Sequence, residues 1–158
     1  YQLERAVTHS SRLINQSVDI APVVLRLVTA LEKVYRGKNM LIEHSDVSGN
    51  FPGDERDLLE LCGNLLDNGC KYGRTQVSLR VSAKNNLVTL VVEDDGPGIS
   101  VDERERVLKR GARLDTHEPG QGIGLAVVAE IVARYQGEIG IDASSSLGGT
   151  MITVRFPS

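Results

Sequence analysis

Apolar positions recur along this chain with two different periods, and the changes between them outline its elements. After Pro22, residues Val24, Leu27, Val28, Leu31 and Val34/Tyr35 fall three and four positions apart, the period of a helix burying one face. Proline suits a first helical turn and glycine a helix exit, so the spacing predicts a helix bounded by Pro22 and Gly37. Met40 and Ile42 mark a short strand within 39–46 that holds His44, and Phe51-Pro52-Gly53 reads as a turn. A second helix is predicted from its capping residue Asp54 to about Tyr72, with Asp57 adding negative charge to the first turn. Its apolar face is Leu58, Leu61 and Leu65 together with Leu59, Cys62 and Leu66.

The period then shortens to two. Residues 75–83 alternate with Val77, Leu79 and Val81 inward, and 87–93 form a more continuously apolar strand. Lys84-Asn85-Asn86 between them is a hairpin turn, because asparagine tolerates positive φ. Residues 100–119 are rich in charge, with apolar side chains mainly at Val101, Val107 and Leu108, the composition of a short helix followed by a lid. Helical spacing returns over 122–135 at Leu125, Val128, Ala129 and Val132. Two more strands follow at 137–143 and 150–156, joined by a loop containing Gly148-Gly149. Hairpins outnumber crossovers in this order. The expected fold is α+β: a two-layer sandwich whose mixed, mostly antiparallel sheet is covered on one face by three helices. Residues 1–17 read as the tail of an upstream helix or a linker, and 18–158 as one domain.

Bulk properties narrow the chemistry. A chain of 158 residues can bury a core without staples. Its formal charge of −3 gives no general attraction to nucleic acid or an anionic membrane, so any anion must be held by local geometry. Cys62 and Cys70 share one predicted helix and lie roughly 12 Å apart along its axis, too far for a disulfide, and neither has a partner with zinc-site spacing. They read as buried free thiols of a reducing compartment. No apolar run approaches the roughly 20 residues that cross a bilayer. Tyr1 is no initiator, so the sequence reads as part of a longer protein.

Three local patterns carry candidate chemistry. Asn64, Asn68 and Lys71 lie at i, i+4 and i+7 of the second helix and therefore share a stripe. Asparagine is a mediocre helix former, whereas its amide oxygen suits magnesium, and a lysine adds positive charge for phosphate. Tyr72 follows as a core residue or as a ring on which a base stacks. Asp94-Asp95-Gly96-Pro97-Gly98-Ile99 ends a buried strand with a carboxylate able to accept a hydrogen bond from an exocyclic amine, beside glycines that let a flat base approach the backbone. Gly120-Gln121-Gly122-Ile123-Gly124-Leu125 is a glycine turn entering a helix, where free N–H groups attract phosphate. It is neither the dinucleotide fingerprint nor a P-loop. Each pattern taken alone also has a bland reading, as a turn or as polar surface.

Taken together and in order, these segments resemble the catalytic and ATP-binding domain of sensor histidine kinases, within the wider gyrase, chaperone and mismatch-repair ATPase superfamily of Bergerat fold. The second helix is similar to that family's N box, 94–98 to its first glycine box and 120–124 to its second. Lys109–Thr116 stands where the family has its F box and lid, and Leu147-Gly148-Gly149-Thr150 resembles its last glycine element. The wording of the boxes is most like the PhoQ group of bacterial membrane-bound sensors. The resemblance implies ATP and Mg2+ as cofactors, with Asn68 on the metal, Lys71 on a phosphate, Tyr72 at the base and Asp94 on the adenine amine. Arg113 and Gln121 become lid contacts to the phosphates. Gly96, Gly98, Ile99, Gly120, Gly122, Ile123, Gly124, Leu125 and Thr150 complete the nucleotide site, and Asn64 joins Asn68 and Lys71 in catalysis. Glu118 departs from the pattern, standing where such relatives carry arginine, which implies lower ATP affinity or turnover.

Hydrolases of the superfamily place a glutamate base four residues before the metal asparagine, where this chain has Asn64. An amide has no useful basicity, so the resemblance implies transfer to a histidine, whose neutral imidazole already carries a lone pair. His9, His44 and His117 do not match the family's acceptor element. The partners implied are therefore the parent protein's own dimerisation and phosphotransfer domain and a cognate response regulator, with no nucleic acid. The location implied is the cytoplasmic part of a bacterial inner-membrane sensor, the chain itself not inserted. The alternatives are a gyrase- or chaperone-type ATPase module and a degenerate module that binds a partner and no nucleotide. Asp94→Asn is expected to weaken an ATP analogue by ~1.5–3 kcal/mol in calorimetry, the value of a hydrogen bond to a charged group; unchanged affinity counts against the base pocket.

Overall fold

The computed structural model describes residues 17–104 and 121–157. Its elements are β1 (Val18–Asp19), α1 (Ile20–Val34), a 3-10 turn (Arg36–Lys38), β2 (Leu41–Glu43), β3 (Asn50–Phe51), α2 (Glu55–Tyr72), β4 (Gln76–Lys84), β5 (Leu87–Asp94), α3 (Gln121–Arg134), β6 (Glu138–Ala143) and β7 (Thr150–Pro157). Five strands form one sheet in the order β2-β4-β5-β7-β6. The β2/β4 pair is parallel and the rest antiparallel, so the sheet is mixed as expected. Register puts Leu79 opposite Val92 and Val92 opposite Ile152, while Leu90 lies between Val81 and Val154. These alternate residues form the apolar face, all of them buried. α2 packs on β4 and β5 with α1 and α3 beside it, and α3 reaches β6 and β7.

The β4–β5 turn follows the sequence closely. Asn85 and Asn86 have φ of 54° and 61°, as a two-residue turn with both residues left-handed requires. Elsewhere the limits move for identifiable reasons. α1 begins at Ile20, not Pro22, because β1 pairs antiparallel with β3 and the chain is extended up to Asp19. Pro22 remains in the first turn, where its missing N–H costs nothing. The helix stops at Val34, and a 3-10 turn carries the chain past Gly37 to Asn39, which takes φ of 58°. The strand expected over 39–46 is only Leu41–Glu43, so His44 lies in a loop beyond it. The irregular chain still follows β4: Val81 N donates to Asp46 O and Ser48 N to Val81 O.

At the start of α2, Asp54 Oδ1 accepts the Asp57 N–H at 2.8 Å, the expected cap. Asp57 does more than charge the first turn. Its buried carboxylate accepts Arg134 Nη1 at 2.7 Å and the Tyr135 hydroxyl, tying the start of α2 to the end of α3. Burial, then the bond to Asp57, pushes the Tyr135 phenol up from its ordinary value. The Tyr135 ring meets Phe51 edge-on at 4.9 Å, and Phe51 meets Phe156 at 5.5 Å. Gly53 lies beneath Tyr135, where a Cβ would come within 2.4 Å of the ring. Cys62 and Cys70 are free and buried, as expected, and burial pushes their thiols up to about 12 and about 11. They are inert packing groups.

Asp57→Ala strands a hydroxyl and a half-exposed guanidinium without their acceptor. It is expected to lower the stability measured by urea unfolding by about 2 kcal/mol. Loss of the Asp54 cap by Asp54→Ala is expected to cost about 1 kcal/mol in the same measurement.

Candidate functional site

The candidate site is built where α2 and β5 both end. Gly69 lets α2 settle on the sheet, since a Cβ there would stand 2.9 Å from Val77 Cγ1. The helix leaves Asn64 and Asn68 half-buried and Lys71 exposed. Asn64 Nδ2 donates back to the Glu60 carbonyl at 2.6 Å. Among the described residues, no side-chain hydrogen bond engages Asn68. Its neighbour Asp67 accepts the Tyr35 hydroxyl at 2.6 Å. Lys38 Nζ donates to the carbonyls of Cys70 and Lys71 at 2.6 and 2.8 Å, so a cation satisfies acceptors that a helix end leaves open.

The turn after β5 is joined directly to this helix end. Asp95 accepts the backbone N–H groups of Arg74, Thr75 and Gln76 and the Thr75 hydroxyl. Partial desolvation works against it, yet the bonds from Thr75, Gln76 and Arg74 hold its carboxyl well below the usual carboxylate range. Gly96 packs under the last residue of α2, where a Cβ would meet the Tyr72 carbonyl oxygen at 2.2 Å. That contact requires glycine at 96. Gly98 needs glycine for its φ of 79°.

Asp94 is buried at the tip of β5. Its Oδ1 accepts Gly96 N at 2.8 Å and Thr150 N at 3.3 Å, while its carbonyl accepts Gly149 N at 3.1 Å. Burial pushes its carboxyl up, and the bonds from Gly96 and Thr150 pull it back. Both side-chain bonds fall on one oxygen, which leaves Oδ2 as the atom for an outside donor. Ile99 follows, partly buried against the core, and Ser100 Oγ accepts Glu103 N as residues 101–104 become helical.

Of the second glycine segment, Gln121, Gly122, Ile123 and Gly124 form the first turn of α3, and Leu125 is buried beneath it. α3 starts one residue earlier than the expected Gly122. Arg113, Glu118, Gly120 and the expected lid lie outside the described residues. Tyr72, Asp94, Gly96, Gly98 and Thr150 are thus joined through one corner of the fold, with Asn64, Asn68 and Lys71 on the helix that leads into it. Sequence reasoning missed Asp95, Lys38 and Gly149 as supports. The doubled aspartate was a signal for the first, and Gly149, whose Cβ would strike Asp94, sits in the quoted Leu147–Thr150 element.

The donor set can be tested against a metal-bound polyphosphate. Among the described residues, no group of three or more His, Cys, Asp or Glu side chains could hold a metal ion. A magnesium ion bound here would bring most of its ligands as phosphate and water oxygens, with a protein oxygen as tether. Asn68 fits that role.

Residues 53–158 match the family of histidine kinase-, DNA gyrase B- and HSP90-like ATPases. Over 99% of its length the chain is 44% identical to the two-component sensor PhoQ of Pseudomonas aeruginosa and 41% identical to the sensor protein PhoQ of Escherichia coli. It spans about a third of the length of these relatives, 35% and 32%. The mycobacterial sensor histidine kinase MprB superposes with a TM-score of 0.74 at 30% identity, covering 90% of this chain and 96% of that one. A full-length ShkA solved in complex with AMPPNP shares the fold, with a TM-score of 0.75 at 24% identity over 96% of this chain and 34% of that one.

The bonds to Asp95 carry a pH signature. A carboxyl held low in the folded state stabilises above its unfolded pKa of about 3.9, and that stabilisation fades as pH falls toward the folded value. Asp95→Asn is therefore expected to melt below the wild type by a margin that is flat from pH 5 to 8 and shrinks under about pH 4. A margin that grows in acid contradicts this.

Proposed function

Because the chain belongs to the histidine kinase-, DNA gyrase B- and HSP90-like ATPase family, we propose that it is the ATP-binding catalytic domain of a PhoQ-like two-component sensor kinase. The observation that supports this reading is the joint itself. Asp95 and Gly96 tie the end of α2, with Asn68 and Lys71, to the end of β5, with Asp94. Amide oxygen, ammonium and carboxylate then serve the metal, the phosphates and the base of one nucleotide.

In this reading the Asp94 carboxylate accepts the adenine amine through Oδ2, and Tyr72 and Gly98 bound the base. Lys71 and the N–H groups at the start of α3 receive phosphate oxygens, helped by the helix dipole. Arg113 and Gln121 are proposed as further contacts to the phosphates. Asn68 would hold magnesium, which when bound would supply positive charge against the phosphate chain. The neutral imidazole of a histidine on the parent's dimerisation domain attacks the γ-phosphorus. A nitrogen–phosphorus bond forms as the bond to the β-bridging oxygen breaks, and ADP leaves. An aspartate of the cognate response regulator takes the group next.

Water would be a poor competitor, because among the described residues neither Asn64 nor Glu60 is placed to activate it. Asn64 spends its amide N–H on the Glu60 carbonyl, and Glu60 itself lies at the surface 3.8 Å from Arg56. None of the described helices is long and apolar enough to cross a membrane. From the chain's likeness to PhoQ sensors we assign the domain to the cytoplasmic side of a bacterial inner-membrane sensor.

Mixed with a separate histidine-bearing dimerisation domain, magnesium and γ-labelled ATP, the chain is expected to place label on that domain. Release of free phosphate with no labelled protein refutes the kinase reading. Asn68→Ala is expected to bind the nucleotide with little remaining dependence on magnesium while melting like the wild type. Retained magnesium dependence counts against Asn68 as the metal tether.

A further inference from the structure

Glu93 is a buried carboxylate that the proposed chemistry does not use. It stands one residue before Asp94 and is 4% exposed. Its Oε2 accepts Arg80 Nη2 at 2.8 Å from the neighbouring strand, and its Oε1 accepts the Ser144 hydroxyl at 2.8 Å. Ser144 is buried too and opens the loop between β6 and β7. Its Oγ accepts Leu147 N at 3.0 Å, its carbonyl accepts Gly148 N, and its N–H donates to the Gly149 carbonyl, each of the latter at 2.8 Å. The far end of the loop returns to Asp94, with Gly149 N on the carbonyl and Thr150 N on Oδ1. Two consecutive residues of β5 therefore grip opposite ends of one loop.

From this arrangement we infer that Glu93 and Ser144 are positioning residues for base selection. The inference rests on the nucleotide reading above. Successive side chains of a strand point to opposite faces, so Glu93 fixes the loop from one side of the sheet while Asp94 faces the site. The loop, held at Ser144, delivers the Thr150 N–H that, together with the Gly96 N–H, sets the plane of the Asp94 carboxylate and reserves Oδ2. A carboxylate in that plane accepts the amine of adenine and repels the carbonyl oxygen that guanine presents in its place. Without the Glu93–Ser144 bond the loop loses its fixed end, and the Asp94 carboxylate, left with the Gly96 N–H alone, gains freedom to turn. Discrimination between purines should fall, with the grip on the phosphates intact, since those contacts belong to α2 and α3.

The test compares dissociation constants for a non-hydrolysable ATP analogue, its guanine counterpart and inorganic triphosphate by calorimetry. The variants are Ser144→Ala, Glu93→Gln and the conservative Ser144→Thr, each checked by thermal unfolding. Expected for Ser144→Ala and Glu93→Gln is about a tenfold loss of adenine-over-guanine preference, the order of one charge-assisted hydrogen bond. Triphosphate affinity stays the same, and Ser144→Thr, which keeps the hydroxyl, restores the preference. Should Ser144→Ala fail to fold, Glu93→Gln is read by the same criterion. Folded variants with the wild-type preference, or with an equal loss for both purines, overturn the inference alone. A wild type that binds neither nucleotide overturns the nucleotide reading and this inference with it.

Discussion

The carboxylate of Asp95 receiving three consecutive backbone N–H groups is the constraint on which the rest of this structure depends. Those groups belong to Arg74, Thr75 and Gln76, the residues through which the chain leaves α2 and enters β4. By holding them, the end of β5 fixes the exit of the helix. Gly96 closes the same joint from beside it, against the Tyr72 carbonyl. A helix and a strand distant in sequence become one rigid corner, and the side chains proposed to meet a nucleotide project from its two sides. The function proposed needs little catalytic chemistry from the protein and much positioning, for which a stiff corner is the relevant property.

Polar groups that stabilise the fold surround this corner at increasing distance. Lys38 satisfies the last carbonyls of α2, and Tyr35 holds Asp67 one residue before Asn68. At the opposite end of α2, Asp57 binds Arg134 and Tyr135, so the helix is anchored at both ends. Glu93 and Ser144 brace the last loop from beneath. Asp57 and Glu93 among them are buried charges with defined partners, as burial of an ion demands. The core between them is ordinary apolar packing of α1, α2 and α3 on one face of the sheet.

Much of this was legible in the sequence because it is local. The period-two strands of the hairpin, the asparagine turn, the Asp54 cap and the long α2 all follow from neighbours within a few residues. The places of Asn64, Asn68 and Lys71 on α2 and of Asp94 at the end of β5 were legible for the same reason. What remained hidden depends on contacts across the chain. Nothing near Val18 announces that it pairs with Phe51, so the start of α1 shifted by two residues. Nothing near Asp57 announces Tyr135, 78 positions away. Gly96 was read as room for a base, whereas its neighbour in the fold is the end of a helix that precedes it by 24 residues. The family matched by residues 53–158 agrees with the fold expected from periodicity, while the roles of individual site residues rest on the geometry of the corner.

The most direct measurement is a crystal structure of the chain with magnesium and a non-hydrolysable ATP analogue. The account predicts one ligand spanning the corner, with Asn68 Oδ1 in the metal's coordination sphere and Asp94 Oδ2 accepting the adenine amine of the same molecule. A nucleotide seated elsewhere, or one whose metal is held without Asn68 while its base lies away from Asp94, contradicts it.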